Sequence, residues 1–358
     1  MSRLKLVAVR TSNKQILLFE AKAQKATHLF PENIMKKHVL ILNKVTNVEP
    51  IDEEALSPLA DQLNVHWYQR SEVDFSLDDA LSLFPPPQII VTSLVPLSRR
   101  TLEKLPALEA VIATSTAVDY IDLSYCRENK IRVFNTPRYT GPAVAEHAFA
   151  LMMASAKHLR TLDYQLRSGL LKVPPFAMEL FGKRVGIIGL GDIGARVAAY
   201  AKCFGMEVVY YNRTVKPFAE GAGTQVDLET LLSTADMVVM TVPLNEETFH
   251  LIGRDELKLM KRSAFLINIG ADELIQIDSL VEALKRGEIA GAGLDVISEY
   301  EAYLDAPNLI ITQSRGWYTA ESVARRVATW VQTFKNYLDE NPTNMIIYSN
   351  PKRVESGS

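Results

Sequence analysis

Short apolar runs alternate with amphipathic segments from residue 38 onward. Two of the intervening segments, residues 53–63 and 98–106, place their apolar residues at helical spacing. This alternation predicts a mostly parallel sheet that is covered by helices. The apolar runs are short and rich in β-branched residues, which is typical of buried strands: HVLILN (38–43), VHWYQ (65–69), QIIVTS (88–93), AVIATS (110–115) and RVFNT (132–136).

A second series of the same kind follows a longer amphipathic stretch. Residues 142–166 are too long and too periodic for a loop, and we predict one helix that bridges two domains. The chain closes with a predicted helix over residues 319–340, with Thr319 as its N-cap. The predicted strands of the second series are RVGIIG (184–189), EVVYYN (207–212), MVVMTVP (237–243), AFLINI (264–269), GAGLDV (291–296) and LIITQ (309–313).

Residues 1–37 stand apart from both series. Within them, KLVAVR (5–10) and ILLFEA (16–21) flank the polar segment TSNKQ. Two apolar runs around a short polar segment favour a β-hairpin in this N-terminal extension.

The composition narrows the class of protein. The 358 residues suffice for two ordinary domains, and 47% hydrophobic with 23% charged residues is typical of globular proteins. A net charge of -3 argues against a nucleic-acid partner, and the absence of a long apolar run argues against a membrane partner. Cys126 and Cys203 form neither a close pair nor a metal-ligand spacing. We therefore expect no metal and, without an evident signal peptide, a cytoplasmic location.

The segment VGIIGLGDIGARVAAYAKCFG carries the pattern G-x-G-x-x-G as Gly189, Gly191 and Gly194. The pattern follows an apolar strand and opens a helix rich in small residues, which is the context of a dinucleotide fold. Gly189 then permits a tight turn, Gly191 the approach of a pyrophosphate, and Gly194 close packing of helix on strand. The alternative is a glycine turn that binds nothing.

The next strand ends in Asn212, Arg213 and Thr214. An Asp or Glu at this position hydrogen-bonds the ribose 2′-hydroxyl of NAD, whereas Asn212 does not repel a 2′-phosphate. Arg213 can pair with that phosphate and Thr214 can donate a hydrogen bond to it. The ending favours NADPH/NADP over NAD, unless Arg213 is only a solvated surface residue.

Several ordered segments now point to one family. VDYIDLSYCRENKIRVFNTP with AVAEHAFALMMA, and then VPLNEETFHLI, LMKRSAFLINIG and GAGLDV, resemble the hallmarks of the D-isomer-specific 2-hydroxyacid dehydrogenases over roughly residues 38–345. The ending at Asn212 is similar to the NADPH-using glyoxylate and hydroxypyruvate reductase branch.

The resemblance implies an α/β fold of two Rossmann-like or flavodoxin-like domains with mostly parallel sheets and a cleft between them. Residues 38–143 plus 321–348 would form the flavodoxin-like substrate-binding domain, and residues 144–320 the NAD(P)-binding Rossmann domain. Family members are usually homodimers, with the helix after AVAEH in the interface. Beside the glycines and residues 212–214, the resemblance implies cofactor contacts from Asp192, Ile193, Val242, Pro243, Ile269, Gly270, Asp295 and Gly316.

The same resemblance exposes three replacements. The family arginine that grips the substrate carboxylate corresponds to Ala271, the glutamate to Tyr300 and the proton-donating histidine to Ser314. No histidine lies beyond His250, and no arginine lies between residues 262 and 286, so a shifted alignment hides neither. Losing one charge-assisted contact costs on the order of 2 to 4 kcal/mol of binding. Losing the proton donor costs roughly 100- to 10,000-fold in rate.

Neighbouring residues are candidates to fill these roles. Arg315 follows the lost histidine, and Arg138 stands where the family usually has glycine, although each can equally be a surface arginine. Tyr300, Ser314 and Glu299 are further catalytic candidates, with packing or solvated loop positions as the alternatives. For the substrate carboxylate, the resemblance implies backbone N–H groups of Thr116 and Ala117.

Three functional hypotheses remain open from the sequence. The leading one is an NADPH-dependent oxidoreductase that reduces a polarised C=O, C=N or C=C bond of a small molecule other than a simple 2-oxo acid. The alternative is a non-catalytic NADP(H)-binding regulatory or interaction module. The third is a lyase-type enzyme that uses a bound dinucleotide.

Overall fold

The computed structural model describes residues 10–11, 14–15, 36–45, 56–57, 59, 61–71, 73–170, 176–213 and 221–347. The chain divides into two compact units, residues 1–36 and residues 37–358. In the first unit, β1 (Arg10–Thr11) pairs antiparallel with β2 (Lys14–Gln15). The pair lies mainly in the segment predicted to be polar linker, and most of the two predicted strands lies outside the described residues.

The second unit contains a six-stranded sheet in the order β15-β7-β6-β5-β3-β4. Its five parallel strands follow the flavodoxin-like order 2-1-3-4-5, and only β15 runs antiparallel, beside β7. The strands are β3 (Lys37–Val45), β4 (Leu63–Ser71), β5 (Ile89–Ser93), β6 (Ala110–Ala113), β7 (Arg132–Phe134) and β15 (Met345–Ile347).

Helices cover both faces of this sheet. The connections carry α1 (Leu77–Leu83), α2 (Arg99–Leu102) and α3 (Leu123–Glu128). The closing helix α10 (Ala320–Leu338) buries Trp330, Phe334 and Tyr337 against Val39 and Ile41 of β3. Thr319 is the N-cap of α10, as predicted, because its side chain accepts a hydrogen bond from Ser322 N.

The second sheet has seven strands in the order β10-β9-β8-β11-β12-β13-β14, all parallel. Counted from β8 the order begins 3-2-1-4-5-6, the dinucleotide-binding arrangement, so the predicted α/β fold is confirmed. The strands are β8 (Arg184–Ile188), β9 (Glu207–Tyr211), β10 (Thr224–Gln225), β11 (Met237–Met240), β12 (Phe265–Asn268), β13 (Gly291–Leu294) and β14 (Leu309–Ile311).

Four further helices accompany these strands: α6 (Asp192–Cys203), α7 (Leu228–Thr234), α8 (Arg254–Leu259) and α9 (Ile277–Arg286). Two apolar cores fill the two faces of the sheet. The topological switch point lies between β8 and β11, where the chain leaves the sheet in opposite directions. In open α/β sheets this point is where ligands bind.

The single bridging helix predicted over residues 142–166 is wrong, because the segment forms two helices. α4 (Gly141–Ala156) ends at Lys157, and α5 (Leu159–Arg167) begins after His158. His158 adopts a left-handed φ of 52° and is buried, and this backbone conformation ends a helix. Periodicity continued through the break because a single left-handed residue leaves no apolar gap in the sequence.

Candidate functional site

The glycine turn after β8 has little room for side chains. Gly189 has φ 97°, and a Cβ built there would lie 2.6 Å from Val242 Cγ1. A Cβ on Gly194 would collide with the carbonyl oxygen of Gly189. Both positions therefore need glycine, for the turn and for close packing of α6 on the sheet.

Gly191 differs from its two neighbours because a Cβ there would meet no atom within 4 Å. It is the N-cap of α6, so the free N–H groups of the first helical turn adjoin this open space. Asp192 opens the helix and pairs with Arg196 at 3.3 Å, while Ile193 packs against the core. An open surface at a helix N-terminus beside the switch point fits the pyrophosphate of a dinucleotide.

Asn212, at the end of β9, is a second feature that fits a dinucleotide. Its Oδ1 accepts a hydrogen bond from Leu190 N at 2.7 Å, while its buried Nδ2 has no hydrogen-bond partner among the described residues. A buried donor without a partner costs about 1 to 3 kcal/mol unless a ligand satisfies it. Arg213 is exposed and pairs with Glu247, and Thr214 lies outside the described residues.

The ends of β11 and β12 form the next part of this edge. Val242 packs against Gly189, and a Cβ on Gly270 would lie 3.2 Å from Val242 O. Ile269 is buried, and the carbonyl oxygen of Pro243 accepts a hydrogen bond from the Thr248 hydroxyl. The backbone of these residues thus borders the glycine turn at the carboxyl ends of the strands.

Ala271, which the sequence resemblance aligned with an arginine, lies in a backbone segment whose polar groups are already hydrogen-bonded. Asn268 donates from Nδ2 to Ala271 O at 2.8 Å, and its Oδ1 accepts from Gly270 N at 3.0 Å. The next residue, Asp272, accepts a hydrogen bond from Ser298 N. Burial raises the pKa of Asp272, but hydrogen bonds led by Ser298 N hold it below the usual value overall.

Asp295 is the most heavily bonded carboxylate of the site. Its Oδ1 accepts from Thr312 Oγ1 at 2.7 Å and from Arg315 N at 2.8 Å, and its Oδ2 accepts from Gly316 N at 3.0 Å. His147 Nε2 lies 3.2 Å from Oδ1. Burial raises the pKa of this carboxyl, yet these hydrogen bonds outweigh burial and keep the pKa below its usual value.

The turn at residues 313–316, for which the sequence resemblance implied a histidine, packs against Asp295. Ser314 N donates to the Asp295 backbone oxygen, and a Cβ on Gly316 would lie 2.8 Å from Asp295 Oδ2. Ser314 is exposed and has φ 57°. Arg315 is exposed, with its guanidinium carbon 5.9 Å from the ring centroid of Tyr318. Ser314 and Arg315 thus present their side chains to solvent on a turn whose backbone is held.

Tyr300 and Glu299 lie on the loop after β13. The ring of Tyr300 packs against the core, and a hydrogen bond with Glu301 raises the pKa of its hydroxyl. A raised pKa makes Tyr300 a weaker proton donor near neutral pH. Glu299 is exposed with φ 50°, so the burial that would make it a useful acid is absent.

On the six-stranded sheet, the turn after β6 carries the predicted carboxylate contacts. Thr116 and Ala117 are exposed, and Thr116 Oγ1 donates to Thr136 O at 3.0 Å. Ser115 Oγ donates to Ala117 O at 2.8 Å and so fixes the turn. Among the described residues, no acceptor is found for the backbone N–H groups of Thr116 and Ala117, so both remain available to an anion.

Arg138 has a left-handed backbone, with φ 62°. A residue other than glycine in this conformation costs about 1 to 2 kcal/mol. The following ring, Tyr139, makes an edge contact with Trp317 at 6.4 Å between centroids, and Tyr139 O accepts from Arg325 Nε at 3.0 Å. The Arg138 turn and the Arg315–Trp317 turn therefore meet.

Three residues of this region were not predicted as site residues. Thr312 and His147 hold Asp295 in place. Glu247 pairs with the arginine expected to bind a 2′-phosphate. The signal for His147 was its place in AVAEH, but only the fold brings that helix beside β13 and β14.

Within the described part of the chain, no helix has the length and apolarity needed to cross a membrane. Over the same residues, no cluster of three or more His, Cys, Asp or Glu side chains is arranged to hold a metal ion.

Comparisons with known proteins identify the relatives of this chain. Residues 149–314 match the family model described as D-isomer specific 2-hydroxyacid dehydrogenase, NAD binding domain. A glyoxylate reductase of Pyrococcus horikoshii is 36% identical over 311 residues, which cover 82% of this chain and 92% of that protein.

Two solved structures are similar over most of the chain. An acyclic imino acid reductase (Bsp5) in complex with NADPH and D-Arg has a TM-score of 0.76 and 28% identity, covering 87% of this chain and 100% of that one. A D-lactate dehydrogenase from Aquifex aeolicus complexed with NAD and lactic acid has a TM-score of 0.71 and 26% identity, covering 85% and 96%. The chain belongs to the D-isomer specific 2-hydroxyacid dehydrogenase family.

Proposed function

We propose that this chain is an NADPH-dependent oxidoreductase that reduces a polarised double bond, preferably C=N, in a small molecule other than a simple 2-oxo acid. The observation that carries the proposal is the contrast between the two halves of the site. The glycine turn, the open helix N-terminus and the unsatisfied Asn212 Nδ2 fit a dinucleotide. The sequence resemblance aligns the family's arginine, glutamate and histidine with Ala271, Tyr300 and Ser314.

The cofactor preference rests on the end of β9. Asn212 Nδ2 is a buried donor, and Arg213 is a cation beside it, so both favour a ligand with additional anionic oxygen atoms. An acidic residue here would accept from a 2′-hydroxyl and repel a 2′-phosphate. The pair of Arg213 with Glu247 is exposed on both sides, so it is weak and a phosphate can displace it.

A bound nicotinamide would supply hydride. The protein must then position the acceptor carbon and determine how the product obtains its proton. Asp295 and Gly316, in a rigid network, are the expected neighbours of the nicotinamide. Asp295 Oδ2 accepts a hydrogen bond from Gly316 N, and its remaining lone-pair capacity leaves room for a carboxamide N–H.

The weakness of the available proton donors favours a C=N over a C=O substrate. Tyr300 has a raised pKa, Ser314 is a weak acid and Glu299 is exposed, so none is a strong general acid. Reducing a ketone needs a proton on the developing alkoxide, and losing the donor costs roughly 100- to 10,000-fold. A protonated imine brings its own proton, and after hydride transfer it becomes a neutral amine without an acid. The similarity to an imino acid reductase supports this preference.

Thr116 and Ala117 are the proposed carboxylate contacts, through their free N–H groups, and Arg138 and Arg315 add positive charge. Arg315 is the candidate nearest in sequence to the reacting centre, because it follows Ser314 and its backbone is fixed by Asp295. In this role it would polarise the substrate rather than donate a proton, since its guanidinium stays charged.

The domain organisation follows from the same family relationship. We assign residues 38–143 plus 321–348 to the substrate-binding domain and residues 144–320 to the NAD(P)-binding domain.

A homodimer is also proposed, because α5 has no buried residue in the single chain. The helix exposes the apolar side chains of Leu159, Leu162, Tyr164 and Leu166. A second copy covering this surface would remove a large apolar patch from water.

The direct test is an equilibrium titration with NADPH and NADH, followed by NADPH oxidation across 2-oxo acids, aldehydes, enones and preformed imines. The proposal expects tighter NADPH binding and turnover of an imine. NADPH binding with no turnover across the panel would instead support the non-catalytic dinucleotide-binding module. A failure to bind either nucleotide would contradict both hypotheses.

A further inference from the structure

The proposed reduction leaves open which group of the substrate Arg138 and Arg315 contact. Neither Arg138 nor Arg315 forms an ion pair with a carboxylate among the residues that the structure describes, and Arg315 is exposed. The nearby acid, Asp295, is only 4% exposed and already accepts hydrogen bonds on both oxygens. Two exposed arginines without an ion pair among the described residues thus lie on these turns, although the whole chain has a net charge of -3.

A ring contact places Arg138 and Arg315 on two adjoining turns. Arg138 immediately precedes Tyr139, and Arg315 lies two residues before Trp317, whose ring contacts the ring of Tyr139 at 6.4 Å between centroids. Arg325 reinforces the junction, because its Nε donates to Tyr139 O at 3.0 Å. Arginines on two adjoining turns can both contribute positive charge to the binding of one anion.

The backbone at Arg138 adds an independent observation. Its φ of 62° is a conformation in which glycine is unstrained and arginine is strained. Local strain of this kind is often stored at binding sites. The strained backbone therefore supports a ligand-binding role for the Arg138 side chain.

We propose that the substrate carries two anionic groups, one bound by the N–H groups of Thr116 and Ala117 and a second bound by Arg138 and Arg315. This inference rests on the proposed function for the place of the substrate and extends it to the substrate class. The second group is a carboxylate or a phosphate, since an arginine fork binds both in the same way. Simple 2-oxo acids such as glyoxylate carry only one such group.

The first experiment measures binding without turnover. NADP⁺-loaded protein is titrated calorimetrically with succinate, 3-phosphonopropionate and butyrate, which share a short chain but differ in their second group. We expect at least one of the two dianions to bind about tenfold or more tightly than butyrate, because its second anion pairs with the guanidinium groups. The stronger of the two identifies the chemistry of that group. Equal affinity for all three compounds overturns the proposal.

Variants then locate the effect. Arg138→Gly relieves the positive φ and removes the charge, so it tests binding without a risk to folding, and Arg138→Lys restores a charge. Arg138→Gly and Arg315→Ala should each weaken the dianion about tenfold and leave butyrate within about twofold. Arg100→Ala, an exposed arginine on α2, removes the same charge elsewhere and should change neither affinity. A preference that survives both cleft variants overturns the assignment.

Failure of the inference is distinguishable from failure of the proposed function. Imines with neutral tails could be reduced as efficiently as imines with anionic tails, while succinate binds no more tightly than butyrate. That result would support the reductase assignment and contradict the second anion site. If no imine is reduced but the dianion preference follows Arg138 and Arg315, the anion site stands and the reductase assignment falls.

Discussion

His147 Nε2 lies 3.2 Å from Asp295 Oδ1 and 2.8 Å from Thr312 Oγ1. Since the Thr312 hydroxyl donates its own proton to Asp295, its oxygen is left to accept, and His147 must carry a proton on Nε2. This arrangement joins α4, β13 and the turn after β14. It holds in place a carboxylate that borders the proposed nicotinamide position.

His147→Ala should destabilise the protein and loosen the turn at residues 312–316. We expect a loss of about 1 to 2 kcal/mol in the free energy of unfolding, because Asp295 and Thr312 each lose a partner in a buried site. His147→Gln keeps a donor and should recover part of that loss. Urea unfolding of the three proteins at pH 7 measures the effect. Identical midpoints for His147→Ala and the unsubstituted chain would show that the contact contributes nothing.

Asp295 also predicts a pH dependence. Its folded-state pKa is lowered, so its stabilising contribution is present above the unfolded value of about 3.9 and is lost as the pH falls through the lower folded value. Asp295→Asn should cost about 2 kcal/mol at pH 7, where hydrogen bonds to the charged carboxylate are lost. The difference between the two proteins should shrink as the pH falls below about 4. Unfolding curves that differ equally at pH 7 and pH 3 would contradict this account.

The cofactor preference should respond to Asn212 and Arg213. Asn212→Asp keeps the acceptor for Leu190 N but replaces the buried donor with a charge, so NADH binding should improve relative to NADPH by about 10- to 100-fold. Arg213→Ala should weaken NADPH by about tenfold and leave NADH within about twofold. Fluorescence titrations with both nucleotides measure these ratios. Equal effects on both nucleotides would mean that neither residue distinguishes a 2′-phosphate from a 2′-hydroxyl.

Substitution of Glu247 tests the ion pair between Arg213 and Glu247. Glu247→Gln removes the competing carboxylate from Arg213 while retaining side-chain size. We expect NADPH to bind a few-fold more tightly at low salt, with the gain fading at high salt because both groups are exposed. A weaker affinity for NADPH would show that Glu247 supports the nucleotide rather than competing with it.

The proposed dimer surface can be tested by charge. Leu162→Glu with Leu166→Glu places two carboxylates on the exposed apolar face of α5, where they should cost little in a monomer and much in a buried interface. Light scattering should report a dimer for the unsubstituted chain and a monomer for the double variant. A monomer in both cases would remove the proposed dimer.

The sequence predicted the fold well because β-branched runs and helical spacing are local signals, and the glycine turn is tied to its own strand and helix. It failed at His158, where one left-handed residue splits the predicted long helix without changing the hydrophobic pattern. It also did not assign His147 to the site, because its contact with Asp295 joins residues far apart in the chain and depends on the packing of α4. Arg138 and Arg315 likewise lie on turns that are far apart in the sequence and meet only in the fold, at Tyr139 and Trp317.

Reduction without the family's arginine, glutamate and histidine is tested most directly by one comparison of substrates. The measurement is kcat/KM with NADPH for a preformed protonated imine and for the ketone from which it is made. We predict that the imine is favoured by at least about 100-fold, since only the ketone requires the missing proton donor. A ketone reduced as efficiently as its imine would contradict the account, because some residue would then be supplying that proton.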